Sequence, residues 1–361
     1  MTTFIALGTR PEIIKMSPII EKFMKNDHQF SVVHTGQHYS FGLDKIFFEE
    51  LELPVPNHNL NVGSGTHAQT TAKILVGMED LMMSNKPKVL LVEGDTNSVV
   101  APALAAVKLH VKVGHVEAGL RSHDKRMPEE HNRILTDHIS DYLFAPTEIA
   151  RQNLLKENIE DSRIFVTGNT IVDAVNRNLN IANKKSDILN QLGLDNRNYF
   201  LMTLHREENV DDKKIFLNFL NALNIITKKY KMPIIYPIHP RTRNNIKKFG
   251  FENKISNDIK LIDPIGYLDF LKLEENAKLV LTDSGGVQEE TCILKVPCVT
   301  LRLRTERPET VEIGSNMVTG LETNGVIDCV DIMFNKKNNW GNPFGDGDAS
   351  GKILKILKNE G

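Results

Sequence analysis

Phe4-Ile5-Ala6-Leu7-Gly8-Thr9-Arg10-Pro11-Glu12 decides how this chain is read. A short apolar strand stops at a glycine, and a helix begins within a few residues. The first N–H groups of a helix have no partner inside it, so this turn is expected to favour an anion. Arg10 and Lys15 add a forked guanidinium and a mobile ammonium, so a phosphate suits the place. The plain alternative is an ordinary strand-to-helix turn with solvated basic residues.

The same unit recurs along the chain. In the first half strands are expected at 3–8, 30–35, 88–93, 112–116, 142–145 and 163–166, with helical stretches between them. After Thr167-Gly168-Asn169 the pattern restarts, with strands expected at 199–204, 233–238, 259–262, 278–282 and 297–301. Alternation of this kind argues for parallel sheets covered on both faces. The expected organisation is a doubly wound α/β domain at 1–168, a second at 169–345, and a terminal amphipathic helix in 346–361. Ligands of doubly wound sheets sit beyond the carboxyl ends of the strands, so two such halves would face a central cleft. The polar stretch 184–196 reads as the most mobile connection.

Composition narrows the function. The chain has 361 residues, 40% of them hydrophobic and 25% charged, with a net charge of −2. That balance suits a soluble globular protein and gives no basic field for nucleic acid or an anionic membrane. No stretch reads as a membrane span or a signal peptide, so a cytoplasmic location is expected. Cys292, Cys298 and Cys329 lack metal-type spacing and read as reduced core thiols. No metal constellation and no glycine-rich dinucleotide fingerprint appears, so no cofactor is expected.

Residues with chemical capacity fall just after the expected strands. Asp95 follows Val92-Glu93-Gly94 and could be an N-cap or a catalytic acid. Glu117, in His115-Val116-Glu117-Ala118-Gly119-Leu120-Arg121, ends an apolar strand, where a carboxylate needs a partner; Arg121 could supply it. Glu129 follows Pro128 at a helix start and could serve only the helix dipole. Converging, these three carboxylates would raise one another's pKa, which suits proton transfer near neutral pH. From the second half, His205 offers a titratable group beside Arg206. Thr282-Asp283-Ser284-Gly285-Gly286 opens another helix to phosphate, and Glu290, one turn in, could accept from ribose hydroxyls or be an exposed helix charge. Arg302, Arg304 and Arg307 could close on a diphosphate or be solvated.

Taken in order, Gly8-Thr9-Arg10-Pro11-Glu12, Gly94-Asp95-Thr96, His115 to Arg121, Pro128-Glu129-Glu130-x-Asn132-Arg133, Gly168-Asn169-Thr170, His205-Arg206-Glu207-x-Asn209, Asp283 to Glu290, Thr305 to Glu309 and Asn342 to Gly347 resemble the non-hydrolysing UDP-N-acetylglucosamine 2-epimerases over nearly the whole chain. The resemblance implies a GT-B architecture of two Rossmann-like domains, with the last helix crossing back to the first, usually in a homodimer. It implies reversible conversion of UDP-N-acetylglucosamine to UDP-N-acetylmannosamine, a precursor of surface polysaccharides. The family eliminates UDP across C1–C2 to leave bound 2-acetamidoglucal, then adds UDP back. By matching motifs, Asp95, Glu117 and Glu129 correspond to the acid/base carboxylates and His205 to the His near the departing phosphate. Arg10, Lys15, Phe270, Ser284, Gly285, Gly286, Glu290 and Arg307 correspond to UDP contacts. The chain departs from the family at Gln37-His38-Tyr39-Ser40-Phe41-Gly42, where many members bind an activating substrate molecule, at Ile265, and in the short loop between Arg121 and Pro128. Rival readings are a hydrolysing 2-epimerase, a 2-epimerase of a modified UDP-amino sugar, a GT-B glycosyltransferase, and a sensor that binds without turnover.

Overall fold

The computed structural model of the protein describes residues 2–36 and 47–359. The segment Gln37 to Gly42 lies outside the described residues. The chain forms two compact units, Met1–Arg177 with Phe344–Gly361, and Asn178–Pro343. The division falls inside the helix Thr170–Lys185 rather than at residue 168. Hydrogen bonds give the reason. Asp173 accepts from the backbone N–H of Ala349 and Ser350 and from Ser350 Oγ, and Asn169 N donates to Phe344 O. The first half of that helix is thereby bound to the C-terminal segment.

In the first unit the strands are β1 (Thr3–Leu7), β2 (Phe30–His34), β3 (His58–Asn59), β4 (Val89–Glu93), β5 (Lys112–Val116), β6 (Tyr142–Ala145) and β7 (Ile164–Val166). They form a parallel sheet in the order β3-β2-β1-β4-β5-β6-β7. Every residue of β1 and β4 is buried, as a sheet covered on both faces requires. Helix Asn97–Lys108 packs on His67–Asn85 and Pro128–Ile139. The terminal helix Ala349–Asn359 buries Ile353, Leu354 and Leu357 and packs on Arg10–Lys25.

In the second unit the strands are β8 (Phe200–Thr203), β9 (Ile234–Pro237), β10 (Ile259–Ile262), β11 (Leu279–Thr282), β12 (Cys298–Thr300) and β13 (Asn316–Val318). Their order is β10-β9-β8-β11-β12-β13, again parallel. The stretch 184–196 is folded rather than open: it holds a helix at Ile188–Leu192, and Leu189, Leu192 and Leu194 pack with Ile188 against Tyr199 and Leu201. The three cysteines are buried and unbridged. No helix among the described residues is long and apolar enough to cross a membrane.

Both sheets share one feature that places the chemistry. The chain winds outward from β1 in one direction, then returns to pair β4 on β1's other side; β8 and β11 repeat this. At such a switch point the two connections leave in opposite directions and open a crevice beyond the strand ends. Gly8 and Asp95 follow the first pair of strands, and His205 and Asp283 follow the second.

Backbone geometry near Glu117 tolerates little change. Gly119 has φ +84°, and a Cβ there would lie 2.3 Å from the Ala150 carbonyl oxygen. Gly119→Ala is expected to destabilise the first unit by about 3 kcal/mol, from the disfavoured φ together with overpacking against backbone. Thermal unfolding checks this: the midpoint should fall by several degrees, and an unchanged midpoint would contradict the packing described.

Candidate active site

The turn after β1 is not an open anion cradle. Gly8 N and Thr9 N both donate to Glu12 Oε2, at 2.6 and 3.2 Å. Thr96 Oγ1, beyond β4, donates to Glu12 Oε1 at 2.6 Å. The helix start that the sequence offered to a phosphate thus holds its own carboxyl, tying β1 to β4 across the switch point. Burial pushes the Glu12 carboxyl from 4.5 to about 7, against the pull of these three donors.

Lys15 is also engaged. Its ammonium lies 2.5 Å from Glu117 Oε1 and 3.5 Å from Glu93 Oε1. Arg10 is exposed, with its guanidinium 5.5 Å from the centre of the Phe47 ring. Asn169 Nδ2 donates to Glu117 Oε1 as well, at 3.3 Å. Glu117 adopts φ +69°. A non-glycine residue held there carries a strain of order 1 kcal/mol, which fits a side chain aimed by its surroundings.

Arg121 was the partner that the sequence suggested for Glu117. The structure gives it Asp137 and Glu157 instead, at 2.7 and 2.6 Å. Asp137 is wholly buried and also meets His115 Nδ1 at 2.6 Å and accepts from Gly119 N at 3.1 Å. His115 Nε2 contacts Gly94 O at 2.8 Å. His115 and Arg121 hold the Asp137 carboxyl below its usual range, although burial alone would raise it. This network fixes the turn before Asp95 and the loop after Glu117 in one frame.

Helix Pro128–Ile139 completes the frame. Its Glu130 accepts from the backbone N–H of Ser122 and His123, each at 2.9 Å, and pairs with Arg133. Arg133 also pairs with the Asp95 carboxylate, and Asn132 Nδ2 donates to Asp95 O at 3.0 Å. Asp95 is therefore an ion-paired group whose partner, Arg133, was missed by sequence reasoning. Glu129 is half-buried in the first turn of this helix, and its side chain makes no hydrogen bond or ion pair with another described residue.

In the second unit one buried carboxylate builds the site. Asp283 is 0% exposed. Its Oδ2 accepts from His205 N, Arg206 N and Asn209 Nδ2 at 2.9, 2.8 and 3.1 Å, and Oδ1 lies 3.1 Å from His205 Nδ1. His205 and two backbone N–H groups hold this carboxyl below its usual range despite its burial. The His205 ring stays half-exposed, oriented from behind by Asp283.

A cavity of about 260 Å³ opens here, lined by His205, His239, Ile265, Phe270 and Ser284 among others. The structure thus brings together four of the residues singled out in sequence, His205, Ile265, Phe270 and Ser284. His239, which it adds, ends the segment after β9 and caps the helix Pro240–Phe249. A lone His at a strand end was the available signal. Gly285 and Gly286 open the helix Gly285–Ile293, and a Cβ at Gly285 would meet nothing within 4 Å. The protein's own packing does not demand glycine there. A closely approaching ligand would.

Glu290 is not an exposed helix charge. It is buried, accepts from Tyr267 Oη at 2.9 Å, and lies beside the wholly buried Glu274. Burial, with Glu290 beside it, pushes the Glu274 carboxyl well up. Arg307 Nε donates to Glu289 Oε1 at 2.6 Å, and Arg302 makes a two-pronged pair with Glu306. Two of the three arginines in the basic loop are thus tied locally; Arg304 is exposed.

Two parallel α/β units with polar residues gathered at each switch point give the chain a GT-B-like fold. The UDP-N-acetylglucosamine 2-epimerase family model matches residues 22–358, and the chain belongs to that family. A Methanocaldococcus jannaschii relative named UDP-N-acetylglucosamine 2-epimerase is 56% identical over 99% of each chain. A crystal structure of the M. jannaschii UDP-GlcNAc 2-epimerase in complex with UDP-GlcNAc and UDP matches with a TM-score of 0.91 and 55% identity, over 99% of this chain and 100% of that one. A Pseudomonas aeruginosa relative named UDP-2,3-diacetamido-2,3-dideoxy-D-glucuronate 2-epimerase is 40% identical over 99% of each chain.

Glu12 gives a pH signature. Between 4.5 and about 7 the folded chain keeps a proton on Glu12 that the unfolded chain has lost. Stability is therefore expected to fall by roughly 3 kcal/mol as pH rises through that window. Denaturant unfolding of the native chain and of Glu12→Gln across pH 4 to 8 checks this. The variant should lack that component of the slope, and parallel curves would contradict it.

Proposed function

We propose that the chain interconverts UDP-N-acetylglucosamine and UDP-N-acetylmannosamine without net hydrolysis, through elimination of UDP to 2-acetamidoglucal and its re-addition. The observation that carries this reading is the 56% identity, over 99% of each chain, to the M. jannaschii 2-epimerase. The chemistry on the page supports it. The C2 proton is a weak acid, so its removal needs a carboxylate held in place rather than a mobile one. Glu117, fixed by Lys15 and Asn169, and Asp95, fixed by Arg133, meet that need. Glu129, which has no partner among the described residues, has its carboxylate available for a second proton. In this reading Asp95, Glu117 and Glu129 exchange the proton.

The leaving diphosphate gains charge as the C1–O bond breaks, and donors aimed at that charge act most strongly in the transition state. His205, oriented by Asp283, is proposed to meet the departing phosphate. Ser284, Gly285, Gly286, Arg307 and Arg10 are proposed to hold UDP, with Phe270 beside the uracil and Glu290 at the ribose. Lys15 is better read as the holder of Glu117, since its ammonium already serves that carboxylate. A homodimer, a cytoplasmic location and a role in polysaccharide precursor supply belong to the same reading.

One observation favours a second reading. The P. aeruginosa relative named for a diacetamido glucuronate is 40% identical over the full length, so this scaffold serves a modified sugar elsewhere in the family. The higher identity to the UDP-N-acetylglucosamine enzyme favours the first reading.

Asp95→Asn and Glu129→Gln are expected to lower kcat by at least about a hundredfold. UDP affinity, read by calorimetry, should stay within about threefold. Turnover near the native rate in both variants would sink the assignment of the carboxylates.

A further inference from the structure

Glu93 is the last residue of β4, and its side chain is 2% exposed. It stands out because a strand end buried this deeply normally carries an apolar residue. It touches the machinery at one point. Lys15 lies between it and Glu117, 3.5 Å from Glu93 and 2.5 Å from Glu117. Glu93 Oε1 receives no hydrogen bond, and Glu117, on the far side of the shared Lys15 ammonium, is close enough to push its carboxyl up. The charged groups that face it are Lys15 and Glu12 from the helix Arg10–Lys25, and Glu117 from the segment after β5.

One ammonium cannot neutralise two buried carboxylates. If both Glu93 and Glu117 were ionised, each would compete for Lys15, and Glu93, whose Oε1 receives no hydrogen bond, would stand desolvated and poorly compensated. A single proton on the pair removes the conflict. The distances say where it resides: Lys15 sits on Glu117, and Asn169 adds a second donor to the same oxygen, so Glu117 is the ionised member. Glu93 then has a proton to donate.

We propose that Glu93 is a positioning residue that works as a neutral carboxylic acid, donating its O–H to Glu117 and so leaving Lys15 to Glu117 alone. This rests on the reading of Glu117 as an acid/base group. Burial, with Glu117 and Glu12 nearby, pushes the Glu93 carboxyl well above its usual range against the opposing pull of Lys15. As pH rises far enough to ionise Glu93, the new carboxylate draws Lys15 from Glu117, and the geometry of the base is lost. The pair titrates in two coupled steps, and turnover should decline on the alkaline side for this reason.

Two readouts test the proposal on the full-length enzyme. The first is the infrared difference spectrum between native protein and Glu93→Gln at neutral pH. A protonated-carboxyl band present in the native protein and lost in the variant is expected; its absence from the difference would show Glu93 ionised and overturn the proposal. The second is the pH profile of kcat, each variant scaled to its own maximum. In Glu93→Gln the alkaline descent should move up by about one pH unit or more, because no second carboxylate can form. Glu93→Leu gives the same readout if the amide variant fails to fold. Scaled profiles that superimpose would assign Glu93 a merely structural role. Glu117→Gln separates the two ideas: native-rate turnover there would remove Glu117 from the chemistry, while the infrared band would still report the state of Glu93.

Discussion

The arrangement depends on the reversal of winding in each parallel sheet. Because β1 and β4 are neighbours whose following helices leave in opposite directions, the backbone beyond them is uncovered, and polar groups there can be partly buried without being sealed. The second unit repeats the constraint at β8 and β11. The central strands β1, β4, β8 and β11 are mostly apolar and hidden. The sheets thus concentrate ionisable side chains at the few places where the fold leaves room for them.

What the two switch points do with that room differs. In the first unit acids outnumber bases, and the charges are settled pairwise: Glu117 with Lys15, Asp95 with Arg133, Asp137 with His115 and Arg121. Pairing fixes the orientation of carboxylates that would otherwise swing freely. In the second unit one buried acid, Asp283, collects two backbone N–H groups, Asn209 and the ring of His205. That carboxylate stays ionised because its donors offset its desolvation, and it turns a mobile imidazole into an aimed one. Both devices supply preorganisation, in which the orientation needed at the moment of reaction is built in during folding.

Much of this was legible in the sequence. The central strands announce themselves as short apolar runs at the spacing of a βαβ pattern, and the residues after them carry the motif order of one family. The short edge strands escaped notice. His58–Asn59 and Asn316–Val318 are paired on one side only, so their sequences carry no buried apolar run. Ion pairing was the other gap. Lys15 and Glu117 are 102 residues apart, as separation in sequence says nothing of contact, and Arg121 looked the nearer choice because it lies four residues from Glu117. The turn at Gly8 misled for a local reason: Glu12 was read as part of a motif, whereas its carboxyl reaches back to the N–H groups that a phosphate would need.

The most direct measurement is proton NMR of the purified protein with UDP-N-acetylglucosamine in D₂O. The account predicts UDP-N-acetylmannosamine carrying deuterium at C2, with no free N-acetylmannosamine accumulating. Free N-acetylmannosamine with stoichiometric UDP, or an epimer that keeps its original C2 proton, would contradict it.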